Sequence, residues 1–443
     1  MPHVTFVYPC IGRFPSTEYV RSWQMQPLSI AVLAALTPDN WDRTLFDDRM
    51  EDIDYDVRTD LVAISIETYN ARRGYQIARR FRKRGIAVVM GGFHATFCPD
   101  EVLEFADAVC IGPAEGVWWK ILADTMDGRL NGKYVSSGTG EISIKTDRSI
   151  FGDKRYLDID LVETGRGCKF ECDFCSISAF YRATYRRRPT DEIIAELKQL
   201  KSEVVFFVDD NIVADFAAAK LLFRAMIPLK IKWISQATVN VVKDKELLDL
   251  MVQSGCAGVL IGFESLEEKN LVLMNKSVNA VSGYGRSLKT LRRAGIRIYG
   301  TFVFGYEHDT ERLIRKTKDF AIEHKMFLAA FNHLVPFPAT PLYDKIEKDG
   351  RLLYDKWWLS ETYRFGQLVF EPAGRFSASD IQQKCMKLRR DFYNIVSITK
   401  RAFDFDANFK DLKSGRTFLI FNFLLRFEID KKFGLPLGLI EED

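Results

Sequence analysis

Residues Glu163 to Ile177, ETGRGCKFECDFCSI, place Cys168, Cys172 and Cys175 within eight residues, in the order C-x3-C-x2-C. Thiolates are soft metal ligands, so three on one short loop call for a metal centre. Closed zinc sites take four ligands, usually from paired C-x2-C units or histidines, and none stands nearby: the chain has five histidines, and His94 and His308 are distant in sequence. A loop wrapping three corners of a cuboidal [4Fe–4S] cluster fits better, because each cysteine can reach a different iron. One iron then lacks a protein ligand, and an open iron is where exogenous chemistry takes place. Cys10, Cys98, Cys110, Cys256 and Cys385 stand apart and read as buried apolar thiols.

The elements that must position this loop alternate between strand and helix. From residue 1 to about 130, HVTFVYP, RTLFDD, DLVAISIE, IAVVMGG and ADAVCIG are short β-rich runs. Between them lie helical stretches, including LSIAVLAALT, the basic NARRGYQIARRFRKRG and EGVWWKILADTM. This is the signature of a doubly wound, Rossmann-like parallel sheet, whose ligands sit at the carboxyl ends of the strands. Residues 131–160 turn polar and glycine-rich and read as a linker or hairpin. From 161 to 345 a second alternation, DLVET, EVVFFVDD, KWISQAT, GVLIGFES, RIYGTFVFG and AAFNHLVPF with helices between, predicts a partial (βα)6 barrel of TIM type. Residues 346–443 read as a mostly helical cap rich in aromatic and basic residues. The class is α/β throughout, and the thiol loop opens the barrel directly after its first strand.

C-x3-C-x2-C with Phe174 just before the last cysteine resembles the radical S-adenosylmethionine (radical SAM) superfamily. In that family the open iron chelates S-adenosylmethionine, and one electron cleaves a carbon–sulfur bond of it. The resemblance implies that Asp209, Asp210 and Asn211 of FFVDDN, Gln236 of WISQAT, Glu264 and Ser265 of IGFES, and Gly300 and Gly305 of GTFVFGY face this cofactor. The first 130 residues, with GGFHATFCPDEV and DAVCIGPAEGVW, resemble the cobalamin-binding domain that precedes the barrel in one branch of the superfamily. That places Ser65, Gly91, Gly92 and Gly112 beside the nucleotide tail of cobalamin. The loop after the first strand, CIGRFPSTEYVRSW, lacks the D-x-H-x-x-G that ligates cobalt from below. Cobalamin then binds without a protein ligand to cobalt, or the domain keeps the fold and has lost the cofactor.

The leading expectation is therefore a radical SAM enzyme that methylates an unactivated carbon of a secondary metabolite or lipid with cobalamin. The rival is cobalamin-independent transfer of the 3-amino-3-carboxypropyl group to a nucleophile such as trivalent arsenic, and a non-catalytic iron–sulfur sensor comes third. Formal net charge is +3 from 63 basic and 60 acidic residues, which argues against nucleic acid as a partner. A small-molecule substrate and an external electron donor such as flavodoxin or ferredoxin are expected. The start, MPHVTFVYPC, reads straight into a strand without a secretion signal, which points to the cytoplasm. FLIFNFLL is far shorter than the roughly 20 residues of a membrane span and reads as a buried terminal element, with peripheral membrane contact as the alternative. His94 reads as a strand-end residue bonded to backbone, ARRFRKRG as the solvated face of a helix, and Trp118 and Trp119 as packing between the domains. The aromatic cap is expected to close the site against water.

Overall fold

The computed structural model describes residues 1–14, 24–136, 144–276 and 281–440. Part of the CIGRFPSTEYVRSW loop and part of the 131–160 stretch lie outside the described residues. The first sheet holds β1 (His3–Tyr8), β2 (Asp42–Asp47), β3 (Leu61–Ser65), β4 (Ala87–Gly91), β5 (Ala108–Ile111) and β6 (Gly132–Val135), all parallel, in the order β2-β1-β3-β4-β5-β6. Runs such as LVAI and AVVM are apolar at every position because helices cover both faces, among them α1 (Leu28–Leu36) and α2 (Ala71–Lys83). The strand β6 corrects the expected linker or hairpin: GKYV is short and flanked by glycine and asparagine, yet it pairs in register with β5, Ala108 opposite Gly132. The order reverses between β1 and β3, which opens a crevice at their carboxyl ends.

The second sheet runs in strict sequence: β7 (Asp160–Val162), β8 (Val204–Phe207), β9 (Lys232–Gln236), β10 (Cys256–Glu264), β11 (Arg297–Phe304) and β12 (Leu328–His333). All pairs are parallel, so the six strands form an open barrel with β7 and β12 at its edges. Phe263, Phe302 and Phe331 stack side by side on three neighbouring strands, with ring centroids 5.7 Å apart in each pair, and the helix residue Phe320 meets Phe263 and Phe302. They therefore lie on the outer, helix-facing side. Gly300 shares that side: a Cβ there would sit 2.5 Å from Met326 Sδ. Its missing side chain makes room for the core and not for adenine, which corrects the expectation for that residue. The helix α3 (Ser176–Tyr181) follows the thiol loop.

Three longer helices end the chain: α4 (Ala378–Phe392), α5 (Ile395–Ala402) and α6 (Leu412–Glu428). Before them, Trp357, Trp358 and Tyr363 are buried, with Trp357 Nε1 donating to Pro336 O and its ring tilted against Tyr69 of the first domain at 5.1 Å. This stretch seals the join between the domains. The helices do something else: Arg401 of α5, fully buried, donates to Met326 O, Phe327 O, Phe392 O and Ser397 Oγ at the N-terminal end of β12. The helical part of the cap thus packs on the side and far end of the barrel, away from its mouth.

Buried hydrogen bonds replace several sequence expectations. His94 is buried and its Nε2 lies 3.1 Å from Glu101 Oε1, a side-chain bond where a backbone one was expected. Glu101 also accepts from Tyr75 Oη at 2.8 Å and Trp358 Nε1 at 3.0 Å, and pairs with Lys356 Nζ at 3.0 Å. Arg73, in the basic helix, is buried and grips Asp48 with two bonds of 2.8 Å, while Arg79, Arg80, Arg82 and Lys83 remain on the outside or in part so. Trp118 is buried within the first domain, donating to Thr37 Oγ1, and Trp119 is exposed, because adjacent helix positions point about 100° apart. Neither packs between the domains.

Burial alone would raise the Glu101 carboxyl, but the bonds from His94, Lys356 and Tyr75 prevail and hold it at about 2. Its stabilising contribution is complete above the ordinary value of 4.5 and is lost as pH falls toward 2. Glu101→Ala, which strands four donors, is expected to cost about 3 kcal/mol. Thermal melts should show that deficit at about pH 6 and a smaller one at about pH 3.

Candidate functional site

The thiol loop is fastened from several strand ends. Gly165–Gly167 pairs antiparallel with Tyr185–Arg187, so Cys168 leaves a short ribbon. Asp173 N donates to Met274 O at 3.1 Å, Asn275 Nδ2 to Glu171 O at 2.8 Å, Tyr306 Oη to Asp173 Oδ1 at 3.0 Å and Leu342 N to Asp173 O at 3.0 Å. Cys172 is buried and Cys168 and Cys175 are half-buried, all three as free thiols. Burial raises Cys168, and Cys172 to about 11, while Lys276 lowers both. The ammonium of Lys276 is 2.9 Å from Glu264 Oε1 and 5.9 Å from the centre of the Phe174 ring. A thiolate set with a buried cation beside it suits an iron–sulfur cluster, whose ligands must be deprotonated and whose net charge is then negative. Among the described residues no three His, Cys, Asp or Glu side chains converge on a single ion. A cuboidal cluster needs no such convergence, since each thiolate takes a different iron.

The strand ends of the barrel divide into two groups. Asp209 accepts from Thr164 N at 2.7 Å and Thr164 Oγ1 at 2.5 Å, and burial raises it to about 7. Ser265 Oγ accepts from Glu267 N, and Gly305, with φ of 123°, donates its N–H to Asp309 Oδ2. These three are engaged in holding loops. Asp210, raised to about 6 by burial, accepts from Gly167 N at 3.3 Å, next to Cys168. The Oδ1 of Asn211 is buried with no hydrogen-bond partner. Gln236 ends β9 half-buried, and Glu264 ends β10 in the left-handed region at φ of 61°. The sequence reading missed Lys276 and also Arg187, whose guanidinium nitrogens are buried without partners, as is the hydroxyl of Tyr185 beside it. The run YRRRP was the available signal, but nothing in it tells Arg187 from its neighbours.

The first domain contributes an open cavity of about 280 Å³ at the carboxyl ends of β3, β4 and β5. Ser65, Gly91, Gly92 and Gly112 all line it, and so do Glu163, Arg166, Phe180 and Tyr181 of the barrel. Gly92 has φ of 106°, and a Cβ there would lie 2.4 Å from Ile66 O, so only glycine turns the chain here. Arg166 bridges the domains: its Nε is 3.0 Å from both oxygens of Glu163, and a terminal nitrogen is 2.8 Å from Glu115. A second cavity of about 240 Å³ lies at the end of β1, lined by Tyr8, Cys10, Arg49, Tyr69 and Lys432, and Glu67 lines both cavities. Among the described residues no histidine lines either one. Roomy, glycine-edged strand ends that are closed from above by a second domain suit a large cofactor such as cobalamin, held without a histidine.

An iron–sulfur thiol loop at the head of a parallel barrel, set beneath a doubly wound sheet, defines a class of two-domain metalloenzyme. The sequence profile of the Radical SAM superfamily matches residues 162–321. Bacteriochlorophyllide d C-12(1)-methyltransferase of Chlorobaculum tepidum is 30% identical over 389 residues, covering 85% of this chain and 84% of that one. Hopanoid C-2 methylase of Rhodopseudomonas palustris is 24% identical over 361 residues, covering 75% and 66%. Among solved structures, the radical SAM methyltransferase TsrM from Kitasatospora setae, with cobalamin and a [4Fe–4S] cluster bound, superimposes with a TM-score of 0.65 at 16% identity, over 87% of this chain and 85% of that one. The cobalamin-dependent radical enzyme OxsB gives 0.64 at 12% identity, over 96% and 72%. This chain belongs to the radical SAM superfamily, and its two-domain fold is shared with those two cobalamin-bound structures. It is an enzyme of the methyltransferase kind, and the cofactors of its class are a [4Fe–4S] cluster and S-adenosylmethionine.

The Lys276–Glu264 pair makes one prediction. Lys276→Met leaves the buried Glu264 carboxylate uncompensated and is expected to lower stability by about 3 kcal/mol. Adding Glu264→Gln should recover most of that in the melting temperature, whereas two independent losses would add.

Proposed function

We propose that the enzyme is cobalamin-dependent and methylates an unactivated carbon of a small-molecule substrate, a secondary metabolite or lipid. Residues 1–130 would hold cobalamin and residues 161–345 would hold the cluster and S-adenosylmethionine. One observation carries this reading. The helix α3 begins directly after Cys175 and ends at Tyr181, which lines the larger cavity, so the two cofactor sites lie one short helix apart, about 9 Å along its axis. When bound, the cluster supplies an electron for carbon–sulfur cleavage in S-adenosylmethionine, and cobalamin supplies a methyl carrier.

The chain's own residues have separate tasks in this reading. Cys168, Cys172 and Cys175 hold three irons and leave the fourth open, and Lys276 offsets the negative charge of the thiolates. Asp210, Asn211, Gln236 and Glu264 orient S-adenosylmethionine at the mouth, with Arg187 as a further donor. Ser65, Gly91, Gly92 and Gly112 admit the bulk of cobalamin. Trp357, Trp358 and Tyr363, buried where the domains meet, keep water from that end of the cavity. The relatives named for methylation at C-12(1) of bacteriochlorophyllide d and at C-2 of a hopanoid support methyl transfer to carbon.

The test is anaerobic reconstitution with iron, sulfide, cobalamin and S-adenosylmethionine, using a chemical reductant in place of flavodoxin or ferredoxin. Bound cobalamin, seen in the absorption spectrum, together with S-adenosylhomocysteine or 5′-deoxyadenosine as products, is the expected result. Methylthioadenosine from cobalamin-free protein would instead mean aminocarboxypropyl transfer and overturn the proposal. Cys175→Ala should abolish nucleoside release and the cluster's absorbance while leaving cobalamin uptake in place.

A further inference from the structure

The last long helix, α6, is apolar on its outward side as well as its inward one. Its inward face carries Ser414, Gly415, Phe418 and Asn422, and Asn422 Nδ2 donates to Phe327 O at 3.2 Å and Phe418 O at 2.9 Å. Its outward face carries Leu412, Leu419, Ile420, Phe423, Leu424 and Phe427, with Leu412 92% and Phe427 69% exposed. Leu419, Ile420, Phe423, Leu424 and Phe427 recur at intervals of three and four and form one stripe about 12 Å long, with Leu412 two turns before them beyond Arg416. Phe403 and Phe405, on the loop before the helix, extend the stripe and are also exposed, with rings 6.4 Å apart. Single exposed leucines are ordinary, but a contiguous aromatic and aliphatic face of this size marks a surface that meets something.

The charges around it identify what. Residues 412–427 contain Lys413, Arg416 and Arg426 and no acidic residue. Lys400 and Lys410 are exposed nearby. Of the neighbouring acids, Asp404 is buried against Arg292 at 2.8 Å and Asp430 pairs with Arg390 at 2.9 Å, while Asp406 and Asp411 are exposed, Asp411 capping the helix by accepting from Ser414 N, and Glu428 ends it half-buried. Lys413 has Glu203 at 3.6 Å, but both are almost fully exposed, where such a pair holds little. No helix of the described residues is long and apolar enough to cross a membrane.

We propose that this face lies flat on an anionic lipid surface, its apolar stripe sunk to the level of the acyl boundary and its lysines and arginines among the phosphates. Phe418 and Asn422 meet Phe327, which immediately precedes β12, so the docked face begins at the barrel end opposite the thiol loop. The mouth stays clear of the lipid.

The test is flotation of the full, cluster-reconstituted chain with vesicles of equal parts phosphatidylglycerol and phosphatidylcholine, and with phosphatidylcholine alone. Binding to the anionic vesicles that weakens as salt is added is expected, with little binding to the neutral ones. Lys413→Gln with Arg416→Gln should weaken it roughly thirtyfold, at about 1 kcal/mol per charge. Phe423→Ser with Phe427→Ser should abolish flotation while the melting temperature stays at or above that of the parent, since both side chains are already exposed. Equal binding to both vesicle types, no binding to either, or a dimer in sedimentation that Phe423→Ser with Phe427→Ser dissociates would each overturn the proposal.

Discussion

The carboxylate of Asp209, buried in the barrel mouth and held by the amide and hydroxyl of Thr164, ties the chain just past β8 to the second residue after β7. Everything that makes a site here is suspended from that joint. The ribbon beginning at Gly165 continues from Thr164, and Asp210, the next residue along β8, accepts from Gly167 immediately before Cys168. A loop carrying three free thiols has little hydrophobic burial of its own to hold it. Its position is inherited from carboxylates whose desolvation is offset by donors at fixed places. The rise of Asp209 to about 7 shows that the offset is incomplete and that some cost remains in the folded state.

The second organising contact is the triplet of Glu163, Arg166 and Glu115. Arg166 is on the ribbon, Glu163 closes the barrel's first strand segment and Glu115 belongs to the first domain, so one planar guanidinium fixes the roof of the cavity to its floor. Glu101 does the same from the other side through Trp358 and Lys356. With both anchors in place, the sheet's carboxyl ends and the barrel's mouth face each other across a space that neither domain encloses alone.

Much of this was legible in the sequence. All six barrel strands were, because each is a short β-branched or aromatic run ending in polar residues, and strands buried on both faces read as uninterrupted apolar segments. The thiols and the cavity-lining Ser65, Gly91, Gly92 and Gly112 were legible for the same reason: strand ends are where parallel sheets put their ligands. What escaped depends on pairing at long range. GKYV becomes a strand only because β5 offers an edge. Gly300 looks like the other strand-end glycines until the pleat shows it facing Met326. His94, Arg73 and Lys276 each found a carboxylate, and no local pattern announces which charges will meet. The terminal helix was expected to be buried on its composition alone, and composition is silent on which face turns inward.

The chain's return to its own beginning has a consequence in time. Gly438–Leu439 pairs with Gly12–Arg13, Leu439 N donates to Gln76 Oε1, and Lys432 and Leu435 form part of the wall of the cavity at the end of β1. That wall leaves the ribosome well after the strands it completes. The first domain can form its sheet during synthesis, but its crevice stays open on that side until residues 432–439 have been made. A bulky cofactor has a wide entrance in the newborn chain and a narrower one in the finished protein.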